Sequence, residues 1–380
     1  MSAVIEEVRS NHDLKRFIKF PFSIYKGNRY WIPPLLFDEM NTLRKDRNPA
    51  FEHCEAKYWL ASRDRKPVGR IAGIINRRFN DLWGKKYARI GWVDFIDDEE
   101  ISRLLFQEIE GWARDRGMEA VHGPLGFTDM DREGMLIEGF EELGTIATIY
   151  NHPYYPVHLE KLGYQKDVDW VEYEMVPPKE IPEKVKRLAR VVADRYQLKT
   201  LKVKRAKELL PYAKEIFGLI NTTYTGLYGF VPLTERQVEM YVKQYFGFIR
   251  PEFVPVVLDC EGKIAAFGIT MPSMSHALQK AHGRLFPFGF AHLLKAMKKN
   301  DRVDLYLTAI RPDMQDKGLN AILMYEMNVL YTKRNVTRVE SNPELESNTK
   351  VRAQWRFYEG RQHKRRRCYF KSLVGTATGD

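Results

Sequence analysis

Apolar residues along this chain change period many times. Glu55 to Ser62 and Pro67 to Ile75 read as strands, and Asp64-Arg65-Lys66 between them predicts a hairpin turn. Val4 to Val8, Tyr87 to Ile96, Ala120 to His122 and Val168 to Val176 are further strand-like runs. Helical spacing appears after Asn11, an expected N-cap, where Leu14, Phe17 and Ile18 share a face. It returns after Asp97 or Asp98, with Ile101, Leu104, Leu105, Ile109 and Trp112 ending near Gly117, and again from Tyr154 to Leu162. Val176-Pro177-Pro178 and Ile181-Pro182 then punctuate the chain. Beyond an amphipathic helix, Glu183 to Tyr196, the same order of elements is predicted a second time. It comprises a strand at Thr200 to Val203, helices at Ala206 to Thr222 and from Thr234, and a hairpin of Phe253 to Leu258 with Lys263 to Thr270. A strand and helix follow, then a strand at Arg338 to Ser341, a helix at Lys350 to Glu359 and a strand at Cys368 to Ser372. The repeated pattern predicts two α/β domains with mixed sheets, residues 1–176 and 198–380, joined by a helical linker at 177–197.

Two stretches stand out from this pattern. DLYLTAIRPDMQDKGLNAILMYEMNVL, from Asp304 to Leu330, reads as strand, tight turn and helix. A turn containing Gly318 that opens a helix leaves backbone N–H groups unpaired at the positive end of the helix dipole. That arrangement suits a phosphate or pyrophosphate, although an ordinary βα turn has the same outline. Gly123 to Pro153 is rich in glycine and apolar residues at once, and a loop of that length is either functional or a packed cover.

The 380 residues carry a formal net charge of +11, which fits an anionic ligand or nucleic acid. Arg361, Lys364, Arg365, Arg366, Arg367 and Lys371 supply a C-terminal cluster, and His292 to Lys299 a second basic run. Three scattered cysteines suit a reducing compartment. The opening residues lack a basic segment followed by an apolar run, and no apolar stretch is long enough to span a bilayer. The chain is therefore expected to be cytoplasmic, with no membrane partner. No HExxH, GxSxG or P-loop occurs, and no metal is expected.

The window Leu305 to Tyr369 resembles the GNAT acyltransferase superfamily. LTAIRPDMQDKGLNAIL looks like that superfamily's fourth strand and its Q/R-x-x-G-x-G/A turn, with Gln315, Gly318 and Asn320 on the motif positions. ESNPELESNTKVRAQWRFYE looks like the fifth strand, an asparagine-bearing loop and the tyrosine helix, with Asn348 and Tyr358 in register. Asn320 departs from the usual Gly or Ala. The resemblance implies tandem GNAT domains and acyl transfer from acetyl-CoA or another acyl-CoA to an amine on a small molecule or peptide. It places the cofactor on Tyr306, Leu307, Thr308, Ala309, Ile310, Arg311, Gln315, Asp316, Lys317, Gly318, Leu319, Asn320 and Asn348. Tyr358 would be the general acid and Glu340 the base, with Glu344 and Glu346 nearby.

In the first half the equivalent turn reads Phe95-Ile96-Asp97-Asp98-Glu99-Glu100-Ile101, without glycine and with four carboxylates that would repel a phosphate. Leu159 stands where Tyr358 stands in the second half. The resemblance therefore implies a degenerate first copy. Tyr150, Asn151 and Tyr154 from that copy, with Tyr224 and Tyr228 from the second, are candidate substrate contacts. Two other readings stand beside acyl transfer: a Fem-like transferase drawing on aminoacyl-tRNA, and a non-catalytic GNAT-fold protein binding a ligand or nucleic acid. Oligomeric state is not legible.

Overall fold

The computed structural model describes residues 2–352, 354–355 and 358–374. Its strands are β1 (Val4–Glu7), β2 (Cys54–Arg63), β3 (Lys66–Asn76), β4 (Tyr87–Phe95), β5 (Ala120–Gly123), β6 (Met135–Glu138), β7 (Gln165–Val176), β8 (Lys199–Thr200), β9 (Val256–Leu258), β10 (Ile264–Pro272), β11 (Arg302–Ile310), β12 (Arg338–Glu340), β13 (Glu344–Leu345) and β14 (Glu359–Ser372).

The chain forms two compact units. The first comprises Met1–Val171, Ser275–Leu293 and His363–Asp380, and the second Glu172–Met274 and Leu294–Gln362. These are not the halves expected from chain order. Long strands β7 and β14 each begin in one unit and end in the other, and residues 275–293 return to the first unit. Hydrophobic periodicity shows where a strand lies but not which unit it completes.

In the first unit the strands run β1-β2-β3-β4-β5-β14-β7. The β2–β3 hairpin turns at Asp64 and Arg65, both at positive φ, as a tight two-residue turn needs. The helix Glu99–Asp115 packs Ile101, Leu105, Ile109 and Trp112 against Ile71, Ile75, Ile90 and Phe95. The helix Asn11–Lys19 is capped by Ser10, one residue earlier than expected: the Ser10 side chain accepts from Asp13 N–H, and Asp13 reaches back to Ser10 N–H. Gly123 to Pro153 is not a bare loop, since β6 within it pairs with β14.

The second unit orders its strands β7-β12-β11-β10-β9-β8, with β13 on β7. The helix Asn320–Arg334 packs Leu319, Ile322 and Leu323 against Ala189, Val192 and Ala266. The capping box at Thr234 and Gln237 forms as expected. Three elements differ from their sequence outlines. Residues 206–212 make a 3-10 turn containing Pro211 before the helix Ala213–Thr223. Of the expected helix at Lys350 to Glu359, Thr349–Arg352 is α-helical, and residues 353 and 356–357 lie outside the described ones. The last strand begins at Glu359 instead of Cys368. Its basic residues hid it: Arg365 and Arg367 bond to buried Asp169 on β7, and Lys364 and Arg366 are buried. The C-terminal basic run is therefore an internal strand, not a solvated patch. Among the described residues no helix is long and apolar enough to cross a membrane.

Candidate active site

In the second unit, β11 leaves its neighbour part-way along. It pairs in parallel with β12 only at Arg302, Val303 and Asp304. On its other side β10 follows it to Ile310, with a register shift that leaves Tyr306 as the extra residue between Leu305 and Leu307. An added residue bends a strand and increases its twist. From Leu305 onward the β12 side of β11 therefore has no strand partner among the described residues. Side chains reach that edge instead. The Tyr224 hydroxyl donates to Thr308 O at 3.0 Å and faces Thr308 N–H at 3.4 Å, and Asn342 Nδ2 donates to Tyr306 O at 3.3 Å.

The strand ends where Arg311 is pinned by Asp259 and Asp313, each at 2.7 Å, which leaves its charge matched inside the protein. Pro312–Met314 makes a 3-10 turn, and buried Met314 and Leu319 anchor the loop between them. Asp316 and Gly318 take positive φ, +58° and +85°. A Cβ at Gly318 would be strained by that φ and would lie 3.2 Å from Val192 Cγ2. The consequence is five successive N–H groups, Asp316 to Asn320, that donate no hydrogen bond to any described residue. They precede the helix Asn320–Arg334, whose N-cap has no side-chain acceptor. Such a row of donors at a helix start is suited to an anion. Around it, Lys350 pairs with Asp316 at 3.2 Å, Lys317 lies over the Tyr196 ring, and Gln315 Nε2 donates to Ile310 O.

Tyr358 packs with Leu305, Val303, Val339 and Tyr331. Its hydroxyl accepts from Asn328 Nδ2 at 3.0 Å, and burial pushes its pKa up to about 12. The phenol is thus protonated at neutral pH and retains its own proton to give. Trp355 is 6.2 Å away, centroid to centroid, and its indole N–H donates to both Glu344 oxygens at 2.8 and 2.9 Å. Burial raises the Glu344 carboxyl to about 7, against the opposing bonds from Trp355 and Ser341. Trp355 thus touches both a carboxyl raised toward neutrality and a protonated phenol. Sequence reasoning placed the base at Glu340. That residue faces Asp304 in the β12–β11 register, near the Tyr306 phenol, whose pKa is raised by burial and by both carboxylates. Glu344 was visible only as one of three nearby glutamates. Its hydrogen-bond partner Trp355 lies eleven residues on. Asn348 caps the helix Thr349–Arg352 by accepting from Val351 N–H at 3.3 Å.

The other candidates are spread more widely. Tyr224 reaches the β11 edge, and Tyr228 is half-buried in the same loop. Tyr150, Asn151 and Tyr154 lie in the first unit. The Tyr150 hydroxyl donates to Phe140 O and accepts from Asn28, Asn151 is bonded to both backbone groups of Leu136, and Tyr154 donates to Phe95 O. His122, Asp167 and Cys368, also in the first unit, bring three metal-ligand types within 4.8 Å of one another. His122 is held well below its ordinary pKa by burial and by Arg89, and that guanidinium opposes a cation there.

No family model matches the chain. It is 29% identical over 373 residues to Protein YghO of Escherichia coli (strain K12), covering 96% of this chain and 94% of that protein. It is 28% identical over 293 residues to the Bacterial ceramide synthase of Caulobacter vibrioides (strain NA1000 / CB15N), covering 77% and 75%. Among solved structures, a tandem GNAT protein from the clavulanic acid biosynthesis pathway, without AcCoA, matches 99% of this chain and 100% of its own, with a TM-score of 0.57 at 12% identity. The chain has a tandem GNAT fold. A GCN5-related glucosamine N-acetyltransferase region in a fungal multi-domain GH3 β-N-acetylglucosaminidase matches 97% of this chain but 38% of that one, with a TM-score of 0.55 at 11% identity.

Proposed function

We propose that this chain is an acyl-CoA-dependent N-acyltransferase whose site lies in the second unit. The observation that carries the proposal is the unpartnered edge of β11 running into five free N–H donors. That combination offers backbone groups to an extended pantetheine arm and a cradle to a pyrophosphate. Bound acyl-CoA would supply the activated acyl group. Glu344 would take the proton from the attacking amine, directly or through water, and Tyr358 would protonate the departing thiolate. The Asn328 amide, donating to the phenol oxygen, holds Tyr358 in place for that step. A peptide N–H of β11 near the Tyr306 bulge would stabilise the developing oxyanion.

The name of the Caulobacter relative bears on the substrates. A ceramide is a fatty-acyl amide of a long-chain amino alcohol, so that name favours a fatty acyl donor and a lipid amine over acetyl transfer to a small polar amine. An aminoacyl-tRNA-dependent reaction would have no use for the free donors at 316–320. The test is thermal: acetyl-CoA and a long-chain acyl-CoA are added separately to the purified protein. Ligand at about 100 times its Kd adds about 2.7 kcal/mol to the native state, enough to raise Tm by several degrees. A Tm unmoved by any acyl-CoA at about millimolar concentration would overturn the proposal.

A further inference from the structure

From Met271 to Asn300 there is no acidic residue, while Lys280, Arg284, Lys295, Lys298 and Lys299 are basic. The segment forms two helices, Ser275–Ala281 and Gly289–Lys298, with a turn between them. At that turn Phe286 is 77% exposed and Phe288 75% exposed. On the following helix Phe290 and Leu294, one turn apart, also face solvent, while Leu293 and Met297 are buried. Phe37, 68% exposed, stands beside the turn because Leu36 N–H donates to Gly283 O at 3.0 Å.

The turn is held in place. Gln279 Nε2 donates to Arg29 O at 2.8 Å and to Trp31 O at 3.1 Å, and Ser275 Oγ donates to Gly144 O at 2.9 Å. Arg284 N–H bonds to Ala281 O, Phe290 N–H to Leu285 O and Ala291 N–H to Phe288 O. A bonded backbone therefore presents four phenylalanines and a leucine to water, which is costly unless something apolar meets them.

We infer that this surface docks on an anionic lipid bilayer, with the Phe286–Phe288 turn entering the headgroup–acyl boundary and the flanking lysines and Arg284 resting on lipid phosphates. Phenylalanine also stacks on nucleobases, so nucleic-acid binding is an outcome that the test separates from lipid binding. The five cations of residues 271–300, with no acidic residue among them, complement the charge of such a bilayer, and the exposed phenylalanines complement its apolar interior. Such docking is peripheral, contrary to the sequence-based expectation of no membrane contact. The inference rests on the surface alone and stands or falls independently of the transferase chemistry.

The test is co-sedimentation of the full chain with phosphatidylcholine vesicles, with and without phosphatidylglycerol. The protein is expected to pellet with the anionic vesicles and to remain soluble with the neutral ones. Phe286→Ser with Phe288→Ser should lower the partition coefficient at least about tenfold at unchanged Tm, since both side chains are exposed. Lys295→Glu with Lys298→Glu should weaken binding at low salt and reduce its salt dependence. Three outcomes would overturn the inference: wild-type protein left in the supernatant with both vesicle types, the double phenylalanine variant pelleting like wild type, or phenylalanine-dependent binding to single-stranded oligonucleotide or acidic peptide with vesicles ignored.

Discussion

The two units carry the same strand separation and treat it in opposite ways. In the first, β4 pairs in parallel with β5 only at Tyr87, Ala88 and Arg89, and a register shift near Trp92, itself at φ +42°, bends β4 away. In the second, β11 and β12 do the same. The first unit fills its gap with its own chain. Leu125 N–H donates to Ile90 O at 2.7 Å, and the backbone runs so close that a Cβ at Gly91 would sit 2.8 Å from Leu125 O. Its helix start is filled as well: Asp98 accepts from Glu100 and Ile101 N–H and pairs with Arg63 at 2.9 Å. In the second unit no backbone group among the described residues bonds the corresponding edge, which is met by the Tyr224 and Asn342 side chains, and no side chain caps the helix start. One backbone geometry can thus serve as packed scaffold or as binding edge, according to whether the chain supplies its own hydrogen-bond partners.

The comparison breaks most sharply at Tyr358. Tyr358→Phe should lower kcat by about 10²-fold or more while the acyl-CoA-induced rise in Tm persists. Parallel loss of the Tm rise would make the phenol part of binding instead. Gly91→Val tests the closed side: its side chain must displace Leu125, costing about 1–3 kcal/mol and several degrees of Tm, with no change in acyl-CoA affinity. A changed affinity there would mean that the first unit is not sealed.

Glu344→Gln comes next, with an expected loss of about tenfold or more in kcat/KM. With Glu344 intact, kcat/KM should climb as pH passes about 7, because the base must be ionised. The variant should flatten that limb. The same raised carboxyl makes a stability claim of opposite sense: its contribution is present below the ordinary glutamate range and is lost as pH rises through about 7. Asp131 in the first unit, raised to about 6 chiefly by burial, loses its contribution over a lower window, so unfolding followed against pH can separate the units. The smallest effect is Asn320→Ala, which removes a side chain beside the free donors and should tighten acyl-CoA binding a few-fold, measured by isothermal titration.

How much of this was legible beforehand differs by element. The β2–β3 hairpin, the helix after Asp98, the capping box at Thr234 and the strand–turn–helix at 304–330 were all readable, because each is set by residues within a turn or two of one another. The buried basic strand β14 was not, because its polarity is cancelled by Asp169 nearly two hundred residues earlier. Glu344 was named only beside Glu340, because nothing in its own neighbourhood marks its bond to Trp355.

The sequence by itself determined the order of elements, the doubled GNAT pattern, the tight turn at Gln315 to Asn320 and the acidic start of the helix after Asp98. These follow from local hydrogen bonding and periodicity. Tertiary structure alone decided which segments complete which unit, that Leu125 closes the first gap, that Trp355 and burial poise Glu344, and that Phe286 and Phe288 point into water. Each of those depends on contacts between residues distant in the chain, and burial, the quantity that sets a pKa or exposes a phenylalanine, belongs to no residue until the chain has folded.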